Sequence, residues 1–278
     1  MIDPSQLMLT DKVAFVTGGG GGIGKGIALG FARFGADVVL VDKDATAGRE
    51  TAEEIQDLGR QALFVETDVM DKARLRAAVA DAERRFGRLD VLVNNAGGVR
   101  RMRFEEMDDR SLQRHLDLNL VSMFTATAAA IPLMRRGKSG GSIINITSAE
   151  GLRAGPNLAV YSACKAAMIN FTQSMALELG PDGIRVNAIA PDQCATPGSL
   201  TPIGRLPGWL PHGHPARLRY VPLGRSGTVD DCAGAAVFLA SDLGAYITGV
   251  TLPVDGGTIA AGGWKRNSSD DWTLYLTE

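Results

Sequence analysis

VAFVTGGGGGIGKG, Val13 to Gly26, is the stretch whose reading decides the fold. Its first five residues form an apolar run bounded by glycine, which predicts a buried strand. Five glycines follow, Gly18 to Gly22, and then a helical alternation over residues 23–34. Glycine costs about 0.5–1 kcal/mol relative to alanine inside regular structure, so the run belongs to a turn. Such a turn lets backbone N–H groups close on a phosphate at the helix N-terminus. Two registers fit it: Gly19-x-Gly21-x-x-Gly24 and Gly18-x-x-x-Gly22-x-Gly24.

The alternation continues outward from this unit. Strands are predicted at 37–42, 62–66, 90–95, 142–147 and 185–190, with a last one in VTLPVDGG. Helical patterns fall at 45–58, 71–86, 111–134, 160–179 and 230–239. Apolar strands separated by helices predict an α/β fold, a single doubly wound parallel seven-stranded sheet flanked by helices (Rossmann fold). No linker interrupts the rhythm, so residues 1–278 read as one domain. An irregular segment at about 192–222 breaks the pattern. Seven of the twelve prolines lie between Pro191 and Pro222, and a long irregular segment inside a compact domain is usually a functional lid or disordered.

Composition sets the outer limits. Hydrophobic residues make up 45% and charged residues 22%, with a net charge of −2. Nothing in this balance points to nucleic acid or an anionic membrane. Cys164, Cys194 and Cys232 form no CxxC pair, which argues against a disulfide framework or structural zinc and fits a reducing cytoplasm. The N-terminus lacks a secretory pattern, and the apolar runs fall short of the roughly 18 residues that span a bilayer, so a soluble, cytoplasmic protein is expected.

Asp42 ends the second predicted strand, about twenty residues beyond the glycines. A carboxylate there can accept hydrogen bonds from the adenosine ribose hydroxyls of a dinucleotide and would repel a 2′-phosphate. That favours NAD over NADP. Further along, YSACK places Tyr161 and Lys165 four apart on one helix face. A free phenol titrates near pH 10 and is a poor base at neutral pH. An adjacent ammonium favours the phenolate, although reaching about 7 requires roughly 4 kcal/mol of differential stabilisation. Ser148 follows the fifth strand at the carboxyl end of the sheet, where its hydroxyl can hold a substrate oxygen beside Tyr161.

With these residues in place, the chain resembles a short-chain dehydrogenase/reductase of the NAD(P)-dependent type of about 250 residues. The matching motifs are TGGGGGIG (Thr17–Gly24), Asp68-Val69, NNAG (Asn94–Gly97), Asn119 in LDLNL, Ser148, YSACK and the PVDGG ending, all in the family's order. The resemblance selects the Gly18/Gly22/Gly24 register and leaves Gly19, Gly20 and Gly21 as variable positions. It implies that Gly18, Gly22 and Gly24 line the pyrophosphate and adenosine side, that Asp68 and Val69 border the adenine, and that Asn95, Ala96 and Gly97 border the adenosine ribose. Asn119 would hold a water in a proton relay. Lys165 would bind the nicotinamide ribose as well as acidify Tyr161. Ile23, Lys43, Pro191, Cys194 and Thr196 complete the cofactor-binding candidates. Asn119, Ser148, Tyr161 and Lys165 are the catalytic candidates, for hydride transfer between a secondary alcohol and a ketone. The resemblance also implies a homotetramer, or a homodimer. Where the family has Pro-Gly after the sixth strand this chain has Pro191-Asp192, which puts the usual hinge of the substrate loop in doubt.

Arg205, Arg217 and Arg219 in the irregular segment, Arg100, Arg101 and Arg103 after NNAG, and Arg153 after Ser148 occupy three loops at one end. Either they solvate exposed loops or they form a positive rim for an anionic substrate with an apolar body: a 3-hydroxyacyl or other acyl-CoA thioester, or a steroid-derived ring acid or hydroxysteroid. On the second reading Arg101, Arg153, Asp192, Trp209, Arg217 and Ser148 would contact substrate. His212 and His214 lack an acidic or cysteine partner, so no metal is expected. His115, in a helical tract, reads as structural. The tail 258–278 extends past the family's usual ending and could cap a neighbouring site. Two rivals remain: dehydration or epimerisation with bound NAD, and a non-enzymatic NAD-binding protein.

Overall fold

In the computed structural model of the chain, the structure describes residues 1–137, 140–196 and 212–274. Seven strands form one parallel sheet: β1 (Val13–Thr17), β2 (Asp37–Asp42), β3 (Ala62–Glu66), β4 (Val91–Asn94), β5 (Gly141–Ile146), β6 (Ile184–Pro191) and β7 (Thr251–Val254). Their order is β3-β2-β1-β4-β5-β6-β7. The chain therefore winds outward from β1 in one direction, returns, and continues from β4 in the other. The carboxyl ends of β1 and β4 flank the point of reversal, where open sheets of this kind leave a crevice.

Helices cover both faces: α1 (Gly22–Arg33), α2 (Ala45–Asp57), α3 (Lys72–Phe86), α4 (Asp109–Leu116), α5 (Ser122–Arg136), α6 (Ala159–Leu179) and α7 (Val229–Ala240). Strand parity sends alternate residues of β1 into opposite cores. Ala14 and Val16 join Ile27 and Phe31 of α1 and Ala236 of α7. Val13 and Phe15 join Leu75 and Val79 of α3, Leu133 of α5 and Leu179 of α6. All five β1 residues are buried, which is why this strand is apolar without alternation. Asp44, Asp71 and Thr228 cap α2, α3 and α7 through their side chains.

The predicted strands and helices appear within a residue or two of their expected limits. The exception is the tract expected at 111–134. It begins at Asp109, and a π-helical turn, Asp117–Val121, separates α4 from α5. Taken as one stretch, Asp109–Arg136 contains an 18-residue window of mean hydropathy 1.4, enough to cross a membrane by length and composition alone. No uninterrupted apolar run within it reaches that length, as expected, because Asp109, Arg110, Arg114, Asp117, Arg135 and Arg136 interrupt it. Met123, Ala126, Ala130, Leu133 and Met134 are buried, and the last four pack into the core beneath the sheet, which accounts for the apolar content.

Candidate active site

The glycine loop is shaped by backbone demands. Gly18 and Gly22 adopt positive φ, +66° and +54°. A Cβ at Gly24 would lie 2.1 Å from the Gly18 carbonyl oxygen and 2.4 Å from Asn95 Nδ2. These three are the positions of the second register. The other three are not equivalent: a Cβ at Gly19 would meet Leu40 at 2.7 Å and one at Gly20 would meet the Asp42 carboxylate at 3.0 Å, whereas Gly21 faces open space. Gly21 is also the N-cap of α1 and offers no side chain to the first amides, unlike the caps of α2, α3 and α7. Those amides are left to a ligand.

Around this loop the cofactor candidates gather. Asp42 Oδ2 accepts the Gly20 N–H at 3.0 Å and Oδ1 accepts the Asp44 N–H at 3.0 Å, which holds the carboxylate over the turn. Asn95 Nδ2 donates to the carbonyls of Thr17 and Gly18. Thr17 Oγ1 in turn accepts the N–H groups of Asn95 and Ala96, tying β1 to the segment after β4. Asp68 Oδ1 accepts the Met70 N–H, and Val69 is buried. Ile23 is half-buried, Pro191 is buried and Lys43 is exposed. Thr196 faces the loop from the far side, 3.5 Å from where a Gly22 Cβ would sit. Cys194 bridges the backbone at Gly227, and its thiol hydrogen-bonds Cys232 on α7.

The catalytic candidates meet beyond the ends of β4 and β5. Lys165 is buried and donates to the Ile146 carbonyl at 2.8 Å, which places Nζ 5.7 Å from the Tyr161 ring centroid. Burial pulls the Lys165 ammonium down to about 8. Burial of the Tyr161 hydroxyl pushes it up to about 12, its hydrogen bond with Ser148 acting in the opposite sense and the nearby Glu150 charge reinforcing the rise. Asn119 lies in the π turn, a local widening that recurs at functional sites. Its Nδ2 donates to the His115 carbonyl at 3.1 Å and its Oδ1 accepts the Gly98 N–H at 2.9 Å. A side chain at Gly97 would lie 3.0 Å from Asn119 Oδ1 and 3.5 Å from Lys165 Nζ, so Gly97, Asn119 and Lys165 share one small space.

This architecture and these motifs settle the family when set beside known proteins. The family model described as enoyl-(acyl carrier protein) reductase matches residues 18–258. The chain is 36% identical to trans-4-hydroxycyclohexanecarboxylate dehydrogenase of Sinomonas cyclohexanicum, over 94% of this chain and 97% of that one. The chain belongs to the short-chain dehydrogenase/reductase family. It is likewise 38% identical to cyclohexanol dehydrogenase of Rhodococcus sp. (strain TK6), over 91% and 97% of the two chains. A solved 7α-hydroxysteroid dehydrogenase, complexed with NADH and 7-oxo glycochenodeoxycholic acid, superposes with a TM-score of 0.84 at 35% identity, covering 92% of this chain and 98% of that one. This member is an oxidoreductase with a nicotinamide cofactor and a small-molecule alcohol or ketone substrate. The uncapped α1 amides and the glycine cradle that a Cβ at Gly24 would fill suit such a dinucleotide.

Beyond the carboxyl end of β6, this short-chain dehydrogenase/reductase carries Asp192 after Pro191. Asp192 carries no positive φ; its neighbour Gln193 does, at +54°. The left-handed position of this turn is therefore Gln193, not Asp192. Asp192 Oδ2 pairs with Arg153 at 2.7 Å and accepts the Thr258 hydroxyl at 2.6 Å. Arg153 also pairs with Glu150 at 3.3 Å. Glu150 is a contributor that the sequence reading did not single out, although it stands two residues from Ser148 in TSAEG.

Arg217 Nε donates to Gln193 Oε1. Burial lowers its guanidinium, with Asp192 opposing and Arg101 adding to the fall. Arg101 is half-buried on the loop after β4. A cleft of about 200 Å³ lies among Arg153, Asp192, Gln193, Tyr220, Thr258 and Trp264. The tail builds part of it: Lys265–Arg266 pairs antiparallel with Trp272–Thr273, and Arg266 N–H donates to the Arg219 carbonyl. Within this chain, then, the tail packs on the returning end of the irregular segment. His214 caps the helical turn Pro215–Leu218 through the Ala216 N–H. Trp209 and Arg205 lie outside the described residues.

Proposed function

We propose that this chain is an NAD-dependent dehydrogenase that interconverts a secondary alcohol and a ketone on an apolar ring bearing an anionic group. The observation that carries the reading is the convergence of Ser148 on the Tyr161 hydroxyl with the Lys165 ammonium held beside the same ring. The glycine loop would hold the pyrophosphate of the dinucleotide, whose nicotinamide, when bound, would supply or accept the hydride. Tyr161 exchanges the hydroxyl proton of the substrate, and Ser148 holds the reacting oxygen next to it. Lys165 shifts Tyr161 toward the phenolate and binds the nicotinamide ribose, while Asn119, packed into the same space as Lys165, carries the relay toward solvent. An oxidised nicotinamide held there would add its positive charge to the effect of Lys165. Asp42 favours NAD, since a carboxylate fixed over the turn repels a 2′-phosphate.

Arg101 and Arg217 support the anionic group. Arg217 is desolvated beside another guanidinium, an arrangement that a substrate carboxylate would relieve. Arg153 contributes less to such a role, because Glu150 and Asp192 already neutralise it. The Sinomonas relative is named for a ring alcohol that carries a carboxylate, which fits the same substrate class. The test is a panel of cyclohexanols with and without a ring carboxylate, bile-acid alcohols and 3-hydroxyacyl thioesters, followed by NADH formation. Carboxylated ring alcohols should exceed their uncharged parents in kcat/KM by about tenfold or more, the scale of one charge-assisted contact. That margin should shrink in Arg101→Gln and Arg217→Gln. Equal rates on charged and uncharged rings, or turnover of acyl thioesters alone, would discard the substrate assignment.

A further inference from the structure

Ser148 has a single hydroxyl proton and two claimants for it. Its Oγ lies 2.9 Å from Glu150 Oε2, and an ionised carboxylate can only accept, so in this arrangement the proton goes to Glu150. The same oxygen accepts the Glu150 N–H at 3.2 Å. The bond between Ser148 and the Tyr161 hydroxyl favours the phenolate, which it does only while the serine proton points at Tyr161, so a proton given to Glu150 withdraws that support. Glu150 is itself held by Arg153, and Arg153 is shared with Asp192, whose other partner is the Thr258 hydroxyl. A chain of four contacts thus runs from the catalytic serine to the base of the substrate loop and the first turn of the tail.

We propose that Glu150 is a positioning residue that competes with Tyr161 for the Ser148 proton, and that Arg153, divided between Glu150 and Asp192, sets how strongly it competes. This rests on the proposed proton-transfer role of Tyr161. The more negative Glu150 is, the more firmly Ser148 points at it, and the less Ser148 can donate to a phenolate. Asp192, standing where the family has glycine, draws Arg153 away from Glu150 and strengthens the competition. Among the described residues, the charged and titratable groups that face Tyr161 are Lys165 and Cys164 on its own helix, Glu150 after β5, and Arg101 after β4. Arg217 faces Asp192 and Arg101 from the returning end of the substrate loop. Among the described residues, the Glu150–Arg153–Asp192 contacts are the ones that reach Tyr161 through the serine.

The competition predicts opposite shifts from the two partners of one ion pair. In the NAD-bound enzyme, tyrosinate absorbance of each variant against its Tyr161→Phe counterpart reads the phenol directly and needs no substrate. Glu150→Gln should lower the pH at which Tyr161 ionises by about one unit, and the acidic limb of kcat/KM for alcohol oxidation should move with it. Arg153→Met should raise both. In a Glu150→Gln background the Arg153→Met shift should largely vanish, since Arg153 then has no carboxylate to restrain at that position. Shifts in the same direction, no shift, or an Arg153→Met shift independent of residue 150 would overturn the proposal. So would a Glu150→Gln shift of undiminished size in a Ser148→Ala background, which the direct charge of Glu150 on Tyr161 alone would give. If the tyrosinate shifts appear while no alcohol is oxidised, the positioning role stands and the substrate reading falls.

Discussion

Lys165 is an expensive residue to bury. Its ammonium sits in the interior with the Ile146 carbonyl and the Met168 thioether as partners, and burial takes it from 10.5 down to about 8. A lysine whose folded value lies below its unfolded one destabilises the fold wherever both states are protonated, which is below about pH 8. Between about pH 8 and 10.5 the unfolded state binds the extra proton, so stability recovers as pH rises. Lys165→Met should therefore stabilise the cofactor-free protein by about 3 kcal/mol at pH 7, with the advantage closing toward pH 10. Tyr161 acts in the opposite sense above pH 10, because the folded state holds its proton longer. Urea midpoints of wild type and variant across this range check the account; a gap that does not change with pH would contradict it. The Tyr-x-x-x-Lys spacing was legible in the sequence because helix geometry fixes it. The Glu150 contacts were not, because Arg153 and Asp192 meet across 39 residues through loops that no local pattern aligns.

At the scale of elements, the β1–loop–α1 unit shows what homopolymeric sequence conceals. Five equal letters allow two templates, and only backbone geometry separates Gly18 and Gly22, which need positive φ, from Gly24, which needs the absence of a Cβ. Of the three positions read as variable, Gly21 alone is open; Gly19 and Gly20 are hemmed by Leu40 and Asp42. Gly24→Ala should cost about 1–3 kcal/mol in stability through overpacking and abolish detectable cofactor binding. Gly21→Arg combined with Asp42→Ala should fold normally and lower the NAD to NADP ratio of kcat/KM by about tenfold or more, the worth of one charge-assisted contact. An unchanged ratio, or wild-type binding by Gly24→Ala, would count against the loop as described. The π turn that carries Asn119 was equally hidden, because α4, the π turn and α5 read as one helical tract until the backbone shows the extra residue.

The molecule as a whole follows from its rhythm. Apolar strands without alternation required cover on both faces, and the order β3-β2-β1-β4 then placed the crevice at the ends of β1 and β4. The glycine loop, Asp42 and the Asn94–Gly97 segment all sit at that edge because each follows or ends a strand. Tyr161 and Lys165 reach it from α6, and Asn119 from the turn between α4 and α5. What the rhythm could not place was the tail, whose pairing of Lys265–Arg266 with Trp272–Thr273 rests on contacts to Arg219 and Tyr220 rather than on its own apolar pattern. The site is assembled from six separated segments, and product stoichiometry read together with one substitution tests that assembly. Product ketone and NADH are measured together for wild type and Tyr161→Phe, alongside NAD binding by each. Wild type should yield one NADH per ketone, and Tyr161→Phe should lose at least about a hundredfold in turnover with NAD binding unchanged. Turnover without net NADH, or a Tyr161→Phe enzyme as active as wild type, would contradict that assembly.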